Sequence, residues 1–348
     1  MKIHHSKPFL EASDKSSVCN VIDKAFLSYG ETSKLFSTKI ASTLNKKYAI
    51  ATQSGTDALT ASIYALNLKK GDKIIVPAYV CSALLDAIAA NDCIPIPVDI
   101  SKKSLGINID LVNEQQKNVA AVIGAHMFGI PSPLYKIKHI NLIEDCAQTL
   151  NVSIDNHKVG SMGQISVCSF YATKLLTTGH GGAVASDNIE IYEKLFKNFN
   201  HDKNNNWEQH HHFLMSDFNA SLGIVQIDKL DRMIIIRNEI ASRFRKALGE
   251  NDKIINNNAY SRFIVESLIG IDELLNKFNI SGIEAKRPIY LPIYKYLNID
   301  CKNFPNTQWA YNHIISIPLY PSMTELEIEY IETFLREHKN EMRCRPSA

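Results

Sequence analysis

The sequence predicts an α/β protein: a large domain built on a mainly parallel sheet, followed by a smaller domain. Three observations carry this. Over the first two-thirds of the chain, short apolar runs alternate with helical patterns, the signature of helices layered on a parallel sheet. Several runs are rich in Val and Ile with little alternation, as in strands buried on both faces. After about Leu214 the pattern changes, and at 348 residues a single hydrophobic core usually splits.

In chain order, the expected strands are Lys47–Gln53, Lys73–Val80, Ile94–Asp99, Val119–Ala125, Asn141–Asp145, Ile165–Tyr171 and Gly182–Ser186. Helical segments such as Asp57–Leu66 and Ser82–Ala90 lie between them. Ser216–Leu248 reads as one long helix, with Leu222, Val225, Ile227, Leu230 and Ile234 apolar and Arg or Lys interleaved. Asn251–Asn258 is polar and loop-like. Short strands follow, then a closing helix, Thr324–His338, with Glu325 and Glu327 in its first turn, where the helix dipole favours negative charge. With no repeat and no flexible tether, the boundary falls beside the long helix: residues 1–230 form the large domain and 231–348 the small one.

Composition narrows the function. Thirty-eight Lys+Arg against 36 Asp+Glu leave a net charge of +2, with 45% apolar and 21% charged residues. This is a globular composition, and it argues against a dedicated nucleic-acid binder while leaving room for a local basic pocket. The N-terminus lacks the apolar run of a signal peptide, and no stretch reaches the roughly 18 apolar residues of a membrane helix. The seven cysteines (19, 81, 93, 146, 168, 301 and 344) form no C-x-x-C pair. They read as reduced thiols of a cytoplasmic protein, and no metal site is expected.

Three segments could carry chemistry. Gln53-Ser54-Gly55-Thr56-Asp57 follows a strand and opens a helix, a layout that aims backbone N–H groups at an anion. The same residues serve equally as a plain helix cap. No P-loop or dinucleotide fingerprint is present. In Asn141-Leu-Ile-Glu144-Asp145-Cys-Ala-Gln148 a strand ends in two carboxylates, of which only one can face a given pocket; an acidic cap is the alternative. In Ser166-Val-Cys-Ser169-Phe-Tyr-Ala-Thr-Lys174-Leu-Leu-Thr-Thr-Gly179 a buried strand runs into a turn bearing one lysine among apolar residues. Desolvation there would lower the amine's pKa and suit it to Schiff-base chemistry; a surface lysine with a packed stem is the alternative. Together these are the parts needed for pyridoxal phosphate: a phosphate cradle, an acid for the ring nitrogen and an amine for the aldehyde.

On these residues the chain resembles the DegT/DnrJ/StrS-type sugar aminotransferases, fold-type I pyridoxal-phosphate enzymes. The likeness runs through Leu27-Ser-Tyr-Gly30, Ser54-Gly-Thr-Asp-Ala-Leu59, Val76-Pro-Ala-Tyr79, His126-Met-Phe-Gly129, Ile143-Glu-Asp-Cys-Ala-Gln148, Ser169-Phe-Tyr-Ala-Thr-Lys174 and Ile317-Pro-Leu-Tyr-Pro-Ser322. It implies a mixed, mostly parallel seven-stranded sheet with a small C-terminal α+β domain. It implies that Lys174 forms the imine with pyridoxal 5'-phosphate and shuttles the proton. Asp145 would keep the pyridine nitrogen protonated, Gln148 would lie beside the phenolic oxygen, and Gly55, Thr56 and Ser169 would hold the phosphate. His126 falls on a strand end near the cofactor, where a packing role is equally open.

Three positions depart from the family pattern. Cys81 stands where an aromatic residue usually stacks on the ring, with Tyr79 or Tyr171 as substitutes. His212 and Leu214 replace an Asn that reaches the neighbouring subunit's cofactor phosphate and an Arg. His180 replaces a glutamate. The resemblance implies a homodimer that moves an amino group from L-glutamate to a nucleotide-linked keto-sugar, first a 4-keto-6-deoxyhexose. A small phosphorylated or cyclitol ketone, or a non-catalytic cofactor-binding regulator, stays open. The family's dehydratases carry histidine in place of the lysine, so Lys174 speaks against that activity.

Overall fold

The computed structural model describes residues 1–139, 141–200, 210–250 and 258–345. Its strands are β1 (Tyr48–Thr52), β2 (Lys73–Pro77), β3 (Ile94–Val98), β4 (Ala121–Ala125), β5 (Leu142–Asp145), β6 (Ser153–Ile154), β7 (His157–Lys158), β8 (Ile165–Ser169), β9 (Gly182–Ser186), β10 (Phe263–Ser267), β11 (Ile314–Ile317) and β12 (Met342–Cys344). The helices are α1 (Ala12–Asp23), α2 (Glu31–Thr43), α3 (Gly55–Ala65), α4 (Ala83–Ala89), α5 (Ile109–Gln115), α6 (Ile189–Phe199), α7 (Asp217–Asp228), α8 (Leu230–Ala247), α9 (Ile271–Ile280), α10 (Ile293–Tyr296), α11 (Pro305–His313) and α12 (Glu325–Glu337). Residues 251–257 of the expected loop lie outside the described residues.

All seven expected strands are present and form one sheet in the order β1-β9-β8-β5-β4-β2-β3. Neighbours pair in parallel except at β9, which runs antiparallel to both β1 and β8. The carboxyl ends of β1, β4, β5 and β8 therefore open on one rim, where open α/β sheets bind ligands. The continuous apolar runs are explained by burial: every residue of β4, β5 and β9 is buried.

Both edges of this sheet are closed. In β3, Ile94 donates to Asp72 O, so the alternate positions Pro95 and Pro97 face the outer edge, where a missing N–H costs nothing. On the β1 side, residues 213–215 run along the strand: Gln53 N donates to Phe213 O, Thr52 bridges Leu214, and Met215 N donates to Ala51 O.

The helix expected over Ser216–Leu248 is two helices. At Lys229 the backbone N–H turns to Gln226 O, three residues back, and the Lys229 amine reaches Asp14 on α1. Only one residue leaves the helix, so the apolar stripe keeps its phase and hides the break. The last helix ends where expected, and a reciprocal cap joins Thr324 and Glu327.

The remaining strands form an antiparallel sheet, β11-β10-β12. Its core joins Phe244, Phe263, Phe278 and Ile331. Ile3, far away in sequence, packs into this second core and pairs with Ile283. Conversely, Ile293 and Ala310 pack into the core of the first sheet. Asp99, just after β3, ties this crossing segment down by accepting from the backbone of Asn306 and Thr307. All seven cysteines are free, and among the described residues no helix is long and apolar enough to cross a membrane.

Candidate active site

Strand β5 separates its two terminal carboxylates by side. Glu144 is fully buried and accepts from His126 Nε2 (2.9 Å) and from the N–H groups of Gly160 (2.6 Å), Met162 (2.7 Å) and Gly163 (2.9 Å). Burial alone would raise its pKa, but these hydrogen bonds, His126 foremost, hold the carboxyl below the usual glutamate range. Glu144 thus pins the loop leading into β8. Asp145 faces the rim. One of its oxygens takes the Ala147 N–H at 2.9 Å, and burial raises its pKa against the opposing pull of that bond and of Lys174.

His126 is placed as a structural partner of Glu144 rather than as a hydrogen-bonding ligand of a cofactor. Its Nδ1 accepts from Ser132 N at 2.9 Å, so Nε2 carries the proton and donates to Glu144. Its backbone N–H supports Asp145 O at 3.1 Å. His126, Glu144 and Cys146 offer ligand atoms within 4.8 Å of one another. The histidine nevertheless has no lone pair left for a metal, and the carboxylate is filled by four N–H donors.

The helix start expected to cradle a phosphate is seated by close backbone approach. Ser54 caps α3 by accepting from Asp57 N, which leaves the first-turn N–H groups of Gly55 and Thr56 at the helix N-terminus. A Cβ on Gly55 would lie 2.7 Å from Ser169 Cβ, and one on Gly182 would lie 2.3 Å from Ser54 O. Only glycines let the helix start seat against the paired ends of β8 and β9. Gly55 therefore lies directly against Ser169, with Thr56 next to it in the first turn of α3.

Gln148 is aimed by its neighbours. Its Oε1 accepts from Phe128 N at 3.1 Å, and its Nε2 contacts Met127 Sδ at 3.9 Å, which fixes the amide nitrogen as the donor end. Lys174 sits in the loop between β8 and β9. That loop is tied by Lys174 N to Tyr171 O, by Thr178 N to Phe170 O, and by Asn219 Nδ2 from α7 to Thr178 O. Burial holds the Lys174 amine below the ordinary lysine range, while Cys81 and Asp145 oppose the shift and Arg262 adds to it.

The structure brings Cys81 into this group, close enough to Lys174 and Asp145 to interact electrostatically. Neither tyrosine is arranged to replace a stacking ring there. Tyr79 is fully buried in the core against Phe128, and Tyr171 is exposed and meets His180 edge-on. The histidine run divides: His210 and His211 contact Asn198 through their Nδ1 atoms, and His211 also stacks on Phe213. His212 is exposed, beside the segment that covers the β1 edge.

A family model, the DegT/DnrJ/EryC1/StrS aminotransferase family, matches residues 8–336. The chain belongs to this family. The protein is accordingly an aminotransferase of the pyridoxal-phosphate-dependent, fold-type I class. It is 29% identical to an uncharacterised protein of Methanocaldococcus jannaschii, over 92% of this chain and 94% of that protein. It is 25% identical to the GDP-perosamine synthase of Vibrio cholerae, over 96% of this chain and 98% of that enzyme. The crystal structure of the aminotransferase TlmJ from Streptoalloteichus hindustanus superposes with a TM-score of 0.88 at 23% identity, covering 96% of this chain and 98% of that one. That likeness establishes the fold.

The residues present fit the family's cofactor. A glycine-lined helix start suits a phosphate, a desolvated carboxylate suits a ring cation, and a desolvated lysine suits an aldehyde. What sequence reading missed is the opposite wall. Lys174 also lines a pocket with Arg237 of α8, Arg262 just before β10, Ser261 and His5. In sequence these are scattered basic residues beside apolar runs, and only the packing of the second sheet onto the rim gathers them.

Proposed function

We propose that this aminotransferase moves an amino group from L-glutamate to a nucleotide-linked keto-sugar, a 4-keto-6-deoxyhexose, as a homodimer in the cytoplasm. One observation carries the catalytic half of this reading. The desolvated Lys174 amine and the buried Asp145 carboxylate share the rim with the Gly55–Ser169 cradle. The sugar half is supported by similarity along nearly the whole chain to GDP-perosamine synthase. The seven free thiols support the location. The large cofactor unit is read as residues 1–230 and the smaller one as 231–348.

The bound cofactor supplies an electron sink for the charge that develops on carbon. The chain's own residues do the rest. Lys174 Nζ, unprotonated more readily than an exposed lysine, would hold the cofactor's aldehyde carbon and, when released by the amino donor, would serve as the base that moves a proton. Asp145 would keep the ring nitrogen protonated, and Gln148 would donate to the phenolic oxygen. Gly55, Thr56 and Ser169 would hold the phosphate, and Cys81 would stand on the ring side of the site. In a homodimer, His212 would donate to the phosphate of the partner site.

The purified protein is expected to be yellow. Excess L-glutamate should bleach the visible band with formation of 2-oxoglutarate, and mass spectrometry against a panel of nucleotide keto-sugars should find one that gains an amine. A colourless protein that ignores added pyridoxal phosphate overturns the catalytic half. A band that glutamate leaves unchanged overturns the donor.

A further inference from the structure

A second cavity, of about 820 Å³, is lined by the segments that follow β3, β4 and β5 and shares no residue with the pocket at Lys174. Exposure grades its wall. At the mouth stand the exposed Lys103, Lys136 and Lys138, and among the described residues no carboxylate pairs with any of them. Asp110 and Asp155 share the mouth, and Asp155 is occupied by the Tyr135 hydroxyl at 2.6 Å. Deeper in, Ile107 and Pro131 are buried, with Pro133 and Ile154 half-buried beside them. The most buried polar group of the wall is Asn258, 2% exposed, whose Nδ2 has no partner. A buried donor left unpaired is costly, and an acceptor from outside would answer it. The frame is rigid. Asn113 donates to Lys136 O (3.1 Å) and accepts from Lys138 N (3.1 Å), so one side chain sets the backbone of both lysines. A Cβ on Gly106 would lie 2.2 Å from Ser132 Oγ, so the loop after β3 seats directly on the loop after β4.

We infer that this cavity is a second nucleotide site, which takes a nucleoside diphosphate as an effector apart from the reacting centre. It goes beyond the transfer reaction and needs neither the donor nor the sugar assigned above. Unpaired lysines at the mouth suit phosphate groups, which they meet as mobile point charges. Isoleucine and proline walls suit a flat base, and a base carbonyl is the acceptor that the Asn258 amide lacks. The volume is that of a small-molecule site, far more than a lone phosphate fills. Asn258 also opens the segment that carries Ser261 and Arg262 to the pocket at Lys174. That segment is held on the loop after β4 by Ala259 N to Gly129 O (2.9 Å) and Arg262 N to Phe128 O (3.4 Å). A base held by Asn258 therefore bears on the wall that faces Lys174.

The test counts sites on the holoenzyme by equilibrium dialysis with GDP and with UDP. The double variant Lys136→Glu/Lys138→Glu changes only exposed side chains and should fold. It should bind one nucleotide fewer per chain than the native enzyme, whether or not the reacting centre holds another. Asn258→Leu, which removes the buried donor, should weaken the same site about tenfold. Equal counts in the native enzyme and the double variant overturn the site. So does displacement of the nucleotide from it by inorganic phosphate or ribose 5-phosphate at equal concentration, because the base is then not read. The effector role is measured with O-methylhydroxylamine, which consumes the visible cofactor band without turnover and needs no amino donor. Saturating nucleotide should change that rate about fivefold more in the native enzyme than in the double variant. The same response in both proteins overturns the effector role.

Discussion

Glu144 and Asp145 are chemically similar neighbours on one strand, yet their surroundings give them opposite work. Glu144 points away from the rim and is filled with donors, four within 2.9 Å. Asp145 points to the rim, and its environment resists its charge. One carboxylate is satisfied by the fold and the other is left for a ligand to satisfy. The alternation of a β-strand is enough to produce this division, because successive side chains leave on opposite faces. The lesson is that burial does not rank a residue as structural or functional; its hydrogen-bond account does.

Mutations on the two faces should separate cleanly. The largest effect is expected at Lys174→Ala, with turnover down on the order of 10⁴-fold and the visible band gone, measured by steady-state assay and absorbance. Asp145→Asn should lose on the order of 10²- to 10³-fold in turnover while the cofactor-free protein melts no lower than the native one. A lower melting temperature would erase the contrast with Glu144. Glu144→Gln should do the reverse. Its amide nitrogen would face N–H donors, costing about 3 kcal/mol in urea unfolding, while turnover of the folded enzyme stays within about threefold. Gly55→Ala, whose methyl would meet Ser169, should weaken cofactor binding about tenfold with little change in turnover at saturation, read by cofactor titration.

The smallest effect is a matter of sign with pH. Glu144 is held below its ordinary 4.5, so its contribution to stability is complete above that value and is lost as pH falls through the lower, folded pKa. Glu144→Gln should therefore flatten the acid limb of the unfolding curve. Asp145 is raised above 3.8, so its contribution is greatest below that value and is lost as pH rises through the folded pKa. The cofactor-free Asp145→Asn protein should gain on the native one as pH rises above 3.8 through the raised, folded pKa. Parallel slopes for the two variants would break the comparison.

Much of the sheet was legible in the sequence because burial on both faces writes itself as uninterrupted Val and Ile. The strand over Gly182–Ser186 was placed to the residue, and the others within a few positions. The site blocks on the rim were legible because Lys174, Asp145, Gln148 and the Ser54–Thr56 turn sit at strand ends in contiguous motifs. His126 was ambiguous because nothing in its local sequence shows that Ser132 and Glu144 consume both ring nitrogens. The break at Lys229 was invisible because one residue does not dephase a helical stripe. Arg237 and Arg262 were invisible for a different reason: they reach Lys174 only through the packing of one sheet's layer onto the other.

The closed edges of the large sheet bear on how the protein behaves when crowded. A seven-stranded sheet with a bare rim of N–H and C=O groups would be a template for strands of other chains. Here one border is shut by Pro95 and Pro97, and the other is occupied by residues 213–215 of the same chain. The two closures are not equivalent. The prolines are covalent and persist however the surface loosens, whereas the 213–215 segment can peel away. Conditions that loosen the stretch around His212 should therefore expose β1, and sheet-to-sheet aggregation should start from that border.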